Sequence, residues 1–172
     1  MRHLKLLTTS LASIALVATT LVMARPARAD ESDKLTYLTF SKPVQLPGVM
    51  LPAGRYRFQL ADVVESRRVI KVQSEDGKKQ IAMLLTVPNQ LRDIPKDPVV
   101  LFTETAVGQP EAVRTFNYPG ERTGYEFVYS KSEAMIIAHR THQPVLARSG
   151  DKIERIDENG NKADDKSGAA AN

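Results

Sequence analysis

The chain has 172 residues, 42% of them apolar and 26% charged, with no cysteine, no tryptophan and ten aromatics. This is length for about one globular domain. The absence of cysteine excludes a disulfide framework, a thiolate metal site, a cysteine nucleophile and a lipidated N-terminal cysteine. The formal charge of +4 would point to a nucleic-acid or membrane partner only if it lay on the folded part.

It does not. Arg2, His3 and Lys5 form a short basic start, and Leu6 to Met23 then carries no charge. Ala27-Arg28-Ala29 follows, a small-x-small cleavage site before Asp30. This order is that of a secretory signal peptide over 1–29. The apolar run would rise about 27 Å as a helix, short of a bilayer core of about 30 Å. Its Ser and Thr residues also argue against an anchor. Cleavage removes four basic residues and no acid, leaving twenty of each. The mature chain is neutral, so no nucleic-acid partner is expected. A periplasmic or secreted location without stable membrane insertion is expected instead.

An acidic segment, 30–33, precedes a folded unit over 34–148. Leu35 to Phe40 reads as its first strand, and Val44 to Leu46 as a resumption after Pro43. Arg55-Tyr56-Arg57-Phe58-Gln59-Leu60 alternates strictly, which a strand with one wet face does and a helix does not. Val69 to Gln73 and Gln80 to Val87 flank a segment containing Asp76-Gly77, predicting a hairpin. Val99 to Thr105 reads as a strand, and Ala112 to Asn117 and Tyr125 to Tyr129 flank the turn signal Tyr118-Pro119-Gly120. Ser130-Lys131-Ser132-Glu133 matches a capping box, predicting a helix near Ser132 to His142, with Pro144 stopping it. The pattern is mainly β: a single antiparallel β-sandwich, immunoglobulin-like or prealbumin-like, with one short C-terminal helix. Its expected core is Tyr56, Phe58, Leu60, Ile81, Met83, Leu85, Leu101, Phe127 and Val128 or Tyr129. From 149 to 172 there is no aromatic and little large apolar surface, so this stretch reads as a disordered tail. Truncation at Arg148 is then expected to leave the melting temperature unchanged.

Leu51-Pro52-Ala53-Gly54-Arg55-Tyr56-Arg57-Phe58 resembles the Leu-Pro-Ala-Gly-x-Tyr-x-Phe turn and strand of prealbumin-like and carboxypeptidase-regulatory-like sandwiches. The resemblance implies a tight corner at Pro and Gly, with Tyr opening an inward-facing strand. Together with Phe116 to Gly120 and Glu126 to Tyr129, the chain is similar to small exported bacterial β-rich proteins of unknown function. That implies an envelope location and carries no activity.

No Gly-x-Ser-x-Gly, Ser-x-x-Lys or phosphate-binding glycine loop is present, so catalysis is not expected, nor a cofactor. His139 and His142, with Glu133 nearby, form the one metal-ligand alternative, which would make this a metal-binding or metal-dependent hydrolytic protein. Against it stands a plain helix C-terminus, where such side chains suit the dipole. The 14 residues from Phe116 to Tyr129 hold five of the ten aromatics. Alternation turns the strand rings inward and leaves Tyr118 as the exposed one. Tyr118 and Arg122, on the loop after it, are the expected binding residues, since loops on a rigid sandwich present ligand contacts. The expected function is a non-catalytic exported envelope module binding a protein, peptide or surface polymer.

Overall fold

The computed structural model describes residues 34–61, 69–105 and 108–164. The expected signal peptide and the acidic segment 30–33 lie outside the described residues. The protein is mainly β, sandwich-like, with one short helix. The strands of the main sheet are β1 (Leu35–Phe40), β2 (Val44–Leu46), β3 (Val49–Leu51), β4 (Gly54–Leu60), β5 (Val69–Ser74), β6 (Gln80–Gln90), β7 (Val99–Thr103), β8 (Glu111–Asn117) and β9 (Thr123–Phe127). They run β1-β4-β5-β6-β9-β8-β2-β3, with β7 also on β8. A second sheet joins β10 (Tyr129–Ser130), β11 (Val145–Ser149) and β12 (Lys152–Ile156), and helix α1 (Lys131–Thr141) connects its first two strands.

Strand β6 carries the main sheet from one half to the other. Its first half, to Leu85, pairs with β5, and Thr86 to Gln90 pair with β9. The two halves meet through aromatic rings, since Phe58 on β4 lies 5.6 Å from Phe116 on β8. Phe40 on β1 touches both Phe58, at 6.2 Å, and Phe102 on β7, at 6.4 Å. Register keeps the inward side chains in phase: Thr36 opposes Phe58, Phe58 opposes Val72, and Ile70 opposes Leu84.

The expected strands form, but two of them face the other way. Ile81, Met83 and Leu85 were the expected core face of β6; Ile81 does pack against the core, but Leu84 and Thr86 are the buried residues and Met83 is 53% exposed. Residues 81 to 85 are apolar throughout, so period-two alternation gives no phase there. The partner strand supplies it, because Lys71 opposes Met83 and a lysine faces water. Leu101, also expected inside, is 46% exposed. Val100 and Phe102 pack on the core in its place, again within a run apolar at every position. Tyr56 is half-buried, while Phe58, Leu60, Phe127, Val128 and Tyr129 are buried as expected. The sheets are also not purely antiparallel, since β2 runs parallel to β8 and β10 parallel to β11.

Helix α1 begins with the expected capping box: Ser130 Oγ accepts from the Glu133 N–H, and Glu133 accepts from the Ser130 N–H. It ends at His142, whose left-handed φ of 53° lets its N–H reach the Ala138 carbonyl at 2.8 Å. The expected disordered tail, 149–172, is corrected over its described part; residues 165–172 lie outside the described residues. Residues 152–156 form β12 against β11, and Ile156 bridges to Lys162 beyond the turn that follows. Two features offset the ordering entropy. Ile156 is fully buried, and Arg155 makes a two-pronged ion pair with buried Glu126 of β9, at 2.8 and 2.6 Å. Beyond β12, Asp157 Oδ1 accepts from the N–H groups of Asn159 and Asn161, closing a turn.

Further bonds seat this C-terminal unit on the β2, β8 and β9 side. Arg140 donates to Gln45 Oε1 at 2.8 Å, and the Gly48 N–H donates to Glu133 at 2.8 Å. The Tyr129 hydroxyl lies 2.8 Å from the Val113 carbonyl and 3.1 Å from that of Gln45.

Candidate functional site

The residues chosen from sequence do not assemble. Tyr118, the expected exposed ring, is 3% exposed. It packs edge-on against Phe116 at 4.5 Å and Tyr125 at 5.7 Å. Burial pushes its phenol well above the ordinary range, with the Tyr125 hydroxyl adding to the shift. The signal that would have placed it was its spacing: Tyr118 is two residues past Phe116 and so shares its inward face. Arg122 is exposed, and its backbone carbonyl accepts the Leu91 N–H at 2.8 Å. The pair therefore forms no joint platform.

His139 and His142 are both exposed, and Glu133 is committed elsewhere, to Ser130 and to the Gly48 N–H. His142 Nδ1 lies 3.4 Å from Glu158 Oε2, beside a cleft of about 300 Å³ lined by Gln143, Pro144 and Asp157. Asp157 there shapes its own turn. Among the described residues, no group of three His, Asp or Glu side chains could hold a metal ion.

The most site-like surface is the outer face of β1, β4, β5 and β6. Alternation puts Thr36, Leu38 and Phe40 of β1 inside, which leaves Leu35, Tyr37 and Thr39 outside; the same rule turns Arg55 and Arg57 outward from β4, with Gln59 next to them but buried. Lys71 and Gln73 follow on β5, and Met83 and Leu85 on β6, while Ile81, at the register shift between Val72 and Gln73, packs against the core. Cross-strand register builds a row of Leu35, Gln59, Lys71 and Met83, beside another of Tyr37, Arg57 and Gln73. Tyr37 is 42% exposed, and the Arg55 guanidinium carbon sits 4.7 Å from its ring centroid. Such a cation over a ring holds both groups in place by the ring quadrupole.

The β5–β6 turn supports this face. Gly77 has φ +73°, and a Cβ there would lie 2.6 Å from Arg57 Nη1. Glycine thus admits both the turn and the guanidinium lying across it. Gln73 Nε2 donates to the Gly77 carbonyl at 3.0 Å. Arg57 Nε and Gln73 Oε1 are buried without a hydrogen-bond partner. The acid beside the face, Glu75, is paired with Arg55 at 3.1 Å. The face therefore offers Arg57 and Lys71, the Glu75-paired Arg55, a ring, a thioether and the Gln73 amide, chemistry that suits an anionic, partly apolar partner. No single strand reveals this face, because it exists only through register.

Comparison with protein-family models, with curated proteins and with solved structures gives no match.

Proposed function

We propose that this protein is a non-catalytic exported module of the cell envelope, periplasmic or secreted, that binds an anionic protein, peptide or surface polymer. The observation that carries this reading is the outer face of β1, β4, β5 and β6, where Arg55, Arg57 and Lys71 stand with exposed Tyr37 and Met83. The export half of the proposal is supported by the N-terminal sequence, whose Ala27-Arg28-Ala29 site predicts a mature protein starting at Asp30. Among the described residues no helix is long and apolar enough to cross a membrane.

Retention of the purified protein on immobilised polyglutamate, set against an uncharged polymer, tests the binding half. Wild type is expected to be retained at low salt and released as screening rises. Arg55→Glu with Lys71→Glu should weaken retention by about tenfold or more, a difference of about 1.4 kcal/mol. Arg122→Glu should leave it unchanged. Equal retention of all three proteins would remove the face as the binding surface. N-terminal sequencing of protein from the envelope fraction tests export, and an intact Met1 would overturn it.

A further inference from the structure

We propose that the free edge of β1 is an interface at which two copies of this chain pair strand to strand, antiparallel, about a two-fold axis at Tyr37. Strand β1 borders the cationic face through its side chains, whereas the edge consists of backbone groups, and neither reading depends on the other.

Strand β1 ends the main sheet, with β4 on one side. The Lys34 carbonyl accepts the Leu60 N–H at 3.1 Å, and Leu35 opposes Gln59. Lys34 and Leu60 are therefore a hydrogen-bonded pair, and such pairs alternate along an antiparallel ladder. It follows that Thr36, Leu38 and Phe40 bond to β4. The N–H and C=O groups of Leu35, Tyr37 and Thr39 point the other way, where no strand pairs with them among the described residues.

Edges of this kind are usually blunted by charge, proline or a bulge. This one is not. Leu35-Thr36-Tyr37-Leu38-Thr39-Phe40 has no charge, proline or glycine, and its register with β4 is uninterrupted. Six backbone groups at two-residue spacing match the repeat of an extended backbone. The sequence favours a second copy as its source. With Tyr37 opposite Tyr37 of the second copy, Leu35 faces Thr39 and Thr36 faces Leu38, an apolar residue against a threonine each time. Parallel pairing would set like beside like.

Sedimentation of the purified protein across a concentration series is expected to show a monomer–dimer equilibrium. Thr39→Pro removes one outward N–H that β4 does not use, and should weaken the dimer at least about tenfold. Thr39→Val keeps the N–H and should leave the dimer intact. Amide exchange on wild type covers the case in which the proline variant fails to fold. Leu35, Tyr37 and Thr39 amides should gain protection with concentration, while Thr36 and Leu38 stay protected throughout. A wild-type monomer at every concentration, or a dimer whose Leu35, Tyr37 and Thr39 amides exchange freely, overturns the proposal.

Discussion

Tyr118 shows what a single side chain does when a turn signal and a strand face compete for it. Pro119 and Gly120 turn the chain immediately after it, which makes the position look like a loop. Its ring nevertheless completes an inward row with Phe116 and Tyr125, and aromatic pairs at such distances add to the burial of their own area. Tyr118→Ala is therefore expected to act on stability, costing about 3–5 kcal/mol as other buried ring truncations do. Urea unfolding would measure it, and a midpoint equal to wild type would mean the ring is not part of the core. The same competition appears across β8 and β9. Asn117 is fully buried, and its carboxamide occupies the space where a Cβ on Gly124 would stand. Here the absence of a side chain on one strand accommodates a large one on its neighbour. Neither residue reveals this alone.

At the scale of elements, legibility in the sequence followed how much contrast each segment carried. Arg55 to Leu60 alternates charge or amide with ring or aliphatic, and β4 turns Phe58 and Leu60 inward as expected, although Gln59 on its other face is buried too. The capping box at Ser130 predicts α1 to within a residue at each end. Met83 and Leu101 failed because their neighbours are as apolar as they are, so the opposing strand had to set the phase. The candidate site was less legible still, since a sheet face is assembled from four segments brought together by register. The β5–β6 turn, which supports that face, has its own charge dependence. Asp76 accepts from the Ser74 hydroxyl at 2.6 Å and the Lys78 N–H at 3.1 Å. These bonds, that of Ser74 first, hold its carboxyl below the ordinary 3.8. A depressed folded pKa means the turn is supported above the unfolded value, and this support is lost as pH falls through the folded one. NMR titration should place the Asp76 midpoint below 3.8, and Ser74→Ala should return it toward that value. A midpoint at or above it in wild type would contradict the turn geometry.

For the whole molecule, the decisive connection is between the sandwich and its C-terminal hairpin. Glu126 is a carboxylate almost removed from water, with 7% of its side chain exposed. Arg155 from β12 meets it with both prongs, and Arg114 from β8 adds a contact at 3.3 Å. An ion in such a place depends on its partners, and removing one partner of a buried pair costs about 3–5 kcal/mol. Ile156 adjoins Arg155 on the same strand, and its complete burial contributes about 2–3 kcal/mol more. Truncation after Arg148 deletes both and leaves β11 without its antiparallel neighbour. The composition of residues 149–172 predicts no effect from that cut; the structure predicts a large one. The truncated chain should melt far below wild type or fail to fold, and Ile156→Ala should lower the melting temperature on its own, by about 2–5 kcal/mol in stability. Should the truncated chain melt with wild type while Ile156→Ala is silent, the hairpin would be an ornament on an autonomous sandwich. Should Ile156→Ala alone destabilise, the hairpin's packing under α1 is part of the same cooperative unit as the core.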